Sequence, residues 1–208
     1  MTRQTEAARL TVLSAPDRVY WETPGCTLAG MDEVGRGPLA GPVAVACAVM
    51  PPTPLIEHVN DSKKLSEARR EQVYRLLVQT AHAYSVAWIW PEVIDEINIL
   101  EATKRAFADA FLGIQVPVTD VLIDALTGLD IPARQHPMIH GDALSYSIAC
   151  ASILAKVERD RYMIEQDARY PAYGFARNKG YGTAEHIRAL KEYGPCPLHR
   201  RSFIKKFV

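Results

Sequence analysis

No stretch of this 208-residue chain approaches the roughly 18 uninterrupted apolar residues of a membrane-spanning helix, so no membrane partner is expected. The opening MTRQTEAARLTVLSAPDRVY scatters charge where a secretion signal needs an apolar centre, which suggests a cytoplasmic protein. Cysteine is sparse. Cys26, Cys47, Cys150 and Cys196 lie far apart with no C-x-x-C pair, which argues against a zinc site or a disulfide framework and for reduced thiols. Internal repeats and low-complexity segments are absent. Net charge is absent too, with 24 basic residues against 24 acidic ones.

That balance conceals an asymmetry. Arg177, Lys179, Arg188, Lys191, Arg200, Arg201, Lys205 and Lys206 face only Glu185 and Glu192 over residues 171–208, which leaves the rest of the chain acidic. An acidic body with a basic C-terminal segment suits a protein that holds metal in one place and phosphate in another. Length allows one main domain. The expected division is an N-terminal extension (1–25) with a short helix, a main α/β domain (26–169) and a basic helical segment (170–208).

Apolar runs bounded by Gly and Pro predict strands at 27–32 and 42–50, joined as a hairpin by a glycine-rich turn, and further strands at 83–90 and 118–125. Ser66 is placed to cap a helix carrying Val73, Leu76, Leu77 and Ala81. Asn98 and Glu101 resemble a capping box that opens a helix burying Ala106, Phe107, Ala110 and Phe111. Residues 143–168 predict one long helix whose Ser- and Ala-rich first half can pack close to a sheet, and Thr183 caps a last helix that Gly194 ends. Strands first and alternation afterwards predict a mixed α/β sheet with helices on its faces.

Asp32, Glu33 and Asp124 stand where strands end, the place where open α/β sheets bind ligands. Asp124 follows Val121, Leu122 and Ile123, and a charge delivered from a buried strand needs a partner. Asp142 opens the long helix, where it suits capping as well as metal binding. Adjacent strand residues point to opposite faces, so Asp32 and Glu33 can share one site only if the chain bends or the longer Glu reaches around. Four carboxylates without neighbouring Cys or paired His make an all-oxygen set suited to Mg2+ or Mn2+. Two such ions can activate a water and stabilise the leaving oxygen of a phosphodiester.

GMDEVGRGPLAGPV at 30–43, DSKKLS at 61–66, the LID strand ending at Asp124, GDALSYSIACASILAKVERD at 141–160, GYGTAEH at 180–186 and HRRSF at 199–203 together resemble the bacterial ribonuclease HII family. The resemblance implies a ribonuclease H-like sheet flanked by helices with a small helical C-terminal extension. It implies hydrolysis of the RNA strand of RNA–DNA hybrids and nicking 5′ of single ribonucleotides in duplex DNA, as in ribonucleotide excision repair, by a monomer. By motif, Asp32, Glu33, Asp124 and Asp142 would be the catalytic metal ligands. Gly35, Arg36 and Gly37 would surround the 2′-hydroxyl and its phosphate, Tyr181 would pack on the sugar, Lys63 and Lys64 would contact phosphates, and the basic C-terminal segment would clamp the duplex. Glycine-bare backbone can approach the 2′-hydroxyl that distinguishes RNA from DNA.

Departures from the family pattern are His140, where a lysine is usual before G-D, and IDAL in place of the frequent I-D-G-N. Asp160 also fits the family pattern and is expected either to pair with Arg159 or Arg161 on the helix surface or to tune the site, while His186 and His199 are expected to be structural. Competing readings are a ribonuclease H-like nuclease for another nucleic-acid structure, a silent hybrid-binding module and a small-molecule phosphatase.

Overall fold

The computed structural model describes residues 3–208, with side chains from residue 5 onward. Helices α1 (Arg3–Leu13) and α2 (Ala15–Trp21) precede a hairpin of β1 (Leu28–Val34) and β2 (Val43–Val49). Helix α3 (Glu67–Thr80), strand β3 (Ala83–Ile89), helix α4 (Pro91–Leu112) and strands β4 (Asp120–Asp124) and β5 (Arg134–Met138) follow. The short α5 (Gly141–Leu144) and the long α6 (Tyr146–Arg169) lead to α7 (Phe175–Asn178), α8 (Ala184–Tyr193) and α9 (Arg201–Ile204). The sheet order is β3-β2-β1-β4-β5, with β1–β2 and β2–β3 antiparallel and β1–β4 and β4–β5 parallel. This is the expected mixed α/β sheet.

Alternation along β2 sorts the two faces. Ala46 and Ala48 pack with α3 and α6, while Val43, Val45, Cys47 and Val49 pack with α4. Small residues on one face admit a helix at close range, and Gly30 in β1 carries this furthest. A Cβ there would lie 2.1 Å from the Ser147 carbonyl carbon of α6, so any larger residue would push the helix off the sheet. Asp32, two residues on, shares that face.

Four expectations need correction. The helix predicted over 143–168 breaks at Ser145, which is extended (φ −122°, ψ 133°) and caps α6 by accepting from the Ile148 N–H. Asn98 does open a helix, as expected, but an unexpected helical segment that starts at Pro91, whose fixed φ suits a first turn, runs into it and makes α4 one kinked element. Asn98 marks a kink inside it at φ 67°, and its Oδ1 accepts from the Leu100 and Glu101 N–H groups as a mid-helix cap. Strand β5 was not expected, because RQHPM is polar and sits half-exposed at a sheet edge. The one short helix expected in residues 1–25 is two.

Those helices bind the core. Leu10 and Leu13 join the cluster under α3 and α6. Asp17 of α2 is fully buried, and its carboxylate accepts from Ser145 Oγ (3.2 Å), Tyr146 N–H (3.1 Å) and Ser147 N–H (2.8 Å). It satisfies N–H groups that the first turn of α6 would otherwise leave unpaired, in the favourable end of the helix dipole. Asp17→Ala is expected to cost about 1–3 kcal/mol in chemical denaturation, since it leaves buried donors unsatisfied. A change below about 0.5 kcal/mol would show that this cap is not needed.

Candidate active site

The parallel pairing of β1 with β4 sets Met31 against Ile123. The next residues along the two strands, Asp32 and Asp124, therefore stand side by side where the β1–β4 pairing ends, Asp32 within β1 rather than at its end. Asp142 comes in from α5, and the Gly141 N–H donates to Asp124 Oδ1 (2.8 Å), tying that loop to the strand end. β1 stays paired with β2 through Glu33 and Val34, so the backbone does not bend between Asp32 and Glu33. The longer Glu33 side chain instead brings its charge within range of Asp32 and Asp124.

Packing four carboxylates together is costly, and the protonation equilibria record it. Burial, then the charges of Glu33 and Asp124, pushes the Asp32 carboxyl well above its usual range, with a Ser152 hydrogen bond offsetting part of the effect. Burial also raises Glu33 against the opposing pull of Arg36, and burial with Asp61 and Asp124 raises Asp142. Nearby cations compensate only partly. Arg36 lies 3.5 Å from Glu33, and Lys63 lies 3.8 Å from Asp142 with most of its side chain in solvent. Among the described residues no three Asp, Glu, His or Cys side chains form a ready-made metal cage. The donor set is all oxygen, buried and short of positive charge, which fits Mg2+ or Mn2+.

The Gly35–Gly37 loop lies beside these acids and is fixed from behind. Gly35 sits at φ +91°, where a Cβ would strike the Arg159 side chain at 2.3 Å and the Pro42 carbonyl at 2.7 Å. Arg200, fully buried, donates to the carbonyls of Gly35 (2.5 Å), Arg36 (2.8 Å) and Gly41 (2.7 and 2.9 Å). Arg159, also fully buried, donates to Pro42 (2.9 Å), Ala40 (3.2 Å) and Lys179 (2.9 Å). Burial and the neighbouring Arg159 charge depress Arg200 to about 9. Tyr181 stands at the open side of the loop, 42% exposed, with its ring 3.9 Å from where a Gly37 Cβ would be.

The geometry thus brings together Asp32, Glu33, Asp124, Asp142, Lys63, Gly35, Arg36, Gly37 and Tyr181. Lys64 is exposed and pairs with Asp61 (3.6 Å) rather than with the carboxylates, and His140 is exposed at φ 58°. Asp160 pairs with Lys156 (2.7 Å) and Arg70 (3.8 Å), so of its two expected roles the ion pair with Arg159 or Arg161 is not the one the structure shows. Arg200 cannot serve in a duplex clamp, because its fork is spent on backbone carbonyls. The scaffolding roles of Arg159 and Arg200 were missed in the sequence. Arg159 falls at helical spacing from Ser152 and Ala155 on the buried face of α6, the one signal that could have shown it.

A family model described as Ribonuclease HII matches residues 29–206. The chain belongs to the ribonuclease HII family. The ribonuclease HII of Ruminiclostridium cellulolyticum is 52% identical over 181 residues, covering 87% of this chain and 71% of that protein. The ribonuclease HII of Desulfitobacterium hafniense (strain DSM 10664 / DCB-2) is 48% identical over 201 residues, covering 97% and 77%. Among solved structures, ribonuclease H2 from Pyrococcus horikoshii OT3 superposes with a TM-score of 0.73 at 27% identity, covering 87% of this chain and 96% of that one. As a ribonuclease HII, the protein is a metal-dependent endoribonuclease with the ribonuclease H-like fold, acting on RNA–DNA hybrids.

Asp32 gives a stability test. A folded-state pKa above the unfolded value means the folded protein binds this proton more tightly, so the group favours folding in acid and opposes it once pH rises through the folded pKa. Asp32→Asn should therefore raise metal-free stability at pH 7 by about 0.5–2 kcal/mol, the gain shrinking toward pH 4. A loss of stability at pH 7 would contradict the electrostatic account.

Proposed function

We propose that this ribonuclease HII nicks on the 5′ side of a ribonucleotide, including a single ribonucleotide embedded in duplex DNA, using two Mg2+ or Mn2+ ions. The observation that carries the reading is the convergence of Asp32, Glu33, Asp124 and Asp142 beside the Gly35–Gly37 loop and Tyr181. Asp32, Glu33, Asp124 and Asp142 would hold the ions, which supply an activated water and charge stabilisation at the leaving oxygen.

The chain's own residues do the selecting. The backbone of Gly35 and Gly37, held by Arg200 and Arg159, offers polar groups that can test for a 2′-hydroxyl. Arg36, half-exposed beside Glu33, is placed to take the adjacent phosphate. Tyr181 presents its ring to the sugar next to that loop, and a deoxyribose there would leave the 2′-hydroxyl donors and acceptors unpaired. Lys63 and Lys64 project into solvent by the cleft and can contact phosphates, as can the exposed Arg188 and Lys191 of α8. Such contacts make binding fall with salt. Among the described residues no helix is long and apolar enough to cross a membrane. The proposed setting, work on nucleic acid in the cytoplasm and in ribonucleotide excision repair, rests on membership of the ribonuclease HII family.

The test is cleavage of a labelled duplex with one ribonucleotide, beside an all-DNA duplex, in Mg2+, Mn2+ or chelator. The expected result is a metal-dependent nick only at the ribonucleotide, on its 5′ side, reduced at least about 10³-fold by Asp124→Asn. Cleavage of long hybrids without a nick at the single ribonucleotide would overturn the roles given to Gly35–Gly37 and Tyr181. Full activity of Asp124→Asn would overturn the metal ligand set.

A further inference from the structure

Behind Tyr181 two histidines meet nose to nose. His186 Nε2 and His199 Nε2 lie 3.0 Å apart, with both rings buried. Two ring nitrogens at that distance need one proton between them, and the partners at the far ends decide which ring supplies it. His186 Nδ1 faces the Tyr181 carbonyl at 2.9 Å, and a carbonyl can only accept, so Nδ1 carries the proton and Nε2 carries the lone pair. His199 Nδ1 lies 3.0 Å from the Cys196 N–H and 3.3 Å from the Cys196 carbonyl; the shorter contact, together with the lone pair that His186 turns toward His199, places the proton on His199 Nε2. The bonds run in one direction, from Cys196 N–H through His199 and His186 to the Tyr181 carbonyl. Each ring donates once along the chain and accepts once.

The surroundings hold this arrangement. Tyr173 packs edge-on to His199 with centroids 4.8 Å apart, and Phe175 stands perpendicular to His186 at 5.4 Å. Burial lowers both imidazoles below their ordinary range, His199 to about 4, so both stay neutral and the single-proton contact persists at neutral pH. The Tyr181 carbonyl also accepts the Thr183 N–H at 2.8 Å, and Thr183 caps α8 by accepting from the His186 N–H. The residue that caps the helix and the residue that braces Tyr181 thus belong to the same turn.

We infer that His186 and His199 are positioning residues that set the backbone of Tyr181, and through it the discrimination of a single ribonucleotide. This rests on the reading of Tyr181 given above. A brace at the carbonyl of Tyr181 fixes where its ring stands relative to Gly37. Long hybrids present a ribose at every step and tolerate a displaced reader, whereas a single ribonucleotide offers one.

His199→Asn keeps an acceptor for the Cys196 N–H but removes the donor to His186, whereas His199→Gln keeps a donor to His186. Both, with Tyr181→Ala, would be assayed for kcat and KM on a single-ribonucleotide duplex and on a long hybrid, with hydrogen exchange at the Thr183 amide. His199→Asn is expected to lose about 10- to 100-fold in kcat/KM on the single-ribonucleotide duplex and less than about threefold on the long hybrid. Exchange at Thr183 should quicken, and His199→Gln should restore most of both. Equal losses on the two substrates, or unchanged exchange at Thr183, would overturn the inference. A selective loss in Tyr181→Ala with none in His199→Asn would overturn the histidine chain and leave the Tyr181 reading standing. An unaltered ratio in Tyr181→Ala would overturn that reading and the specificity role with it. If His199→Asn does not fold, His186→Gln, which vacates the contact with Tyr181, is read by the same criteria.

Discussion

Carboxylates in β1 and at the end of β4 repel one another, and the fold holds them together regardless. Asp32 cannot move away, because Gly30 lets α6 press onto its face of the strand and Ser152 meets it there. Asp124 is fixed by the Gly141 N–H. Glu33 and Asp142 have partners in Arg36 and Lys63, but these reach in from solvent and neutralise only part of the charge. The unresolved repulsion is what gives a divalent cation its place, since a doubly charged ion offsets what two mobile side chains cannot. The same features lower the stability of the metal-free protein, a trade of stability for function seen widely in active sites.

Recognition depends on a second constraint, rigidity of bare backbone. Gly35 and Gly37 give access to a small target such as a hydroxyl, but glycine loops are mobile unless something holds them. Arg200 and Arg159 do so with forks that donate to carbonyls on both limbs of the turn, from Gly35 to Pro42 and across to Lys179. Neither has a carboxylate partner among the described hydrogen bonds, so each fork donates to backbone carbonyls while Asp160 and Asp95 act on Arg159 and Arg200 only through longer-range charge. The loop, the arginines and the histidine-braced Tyr181 form one unit beside the acids, in which reader and catalyst keep a fixed relation.

Much of this was legible in the sequence because it obeys local rules. A charge at the end of the apolar VLID run, a Gly-Arg-Gly turn between apolar strands, and Ser66 and Thr183 ahead of helical spacing each carry their meaning within a few residues. What stayed hidden depends on distant partners. The break at Ser145 lies in a stretch whose Ser and Ala suit a continuous helix, and it follows from Asp17 over a hundred residues earlier. The roles of Arg159 and Arg200 were obscure because their partners are carbonyls, which every residue possesses and no sequence pattern marks. Strand β5 was obscure because an exposed edge strand needs no apolar alternation. Lys64 and Lys63 look alike in the sequence, and only the turn at Asp61 separates the one that pairs with Asp142 from the one that pairs with Asp61 and acts on Asp142 from further away.

The central claim is that the carboxylate cleft carries more negative charge than the chain itself compensates, and that divalent ions supply the balance. Thermal unfolding across a Mg2+ or Mn2+ titration at pH 7 tests this most directly. The account predicts a midpoint that climbs with ion concentration, with about 2.7 kcal/mol gained at a hundredfold excess over the dissociation constant, and a smaller rise in Asp32→Asn. A midpoint unmoved at ion concentrations that support full cleavage would contradict it.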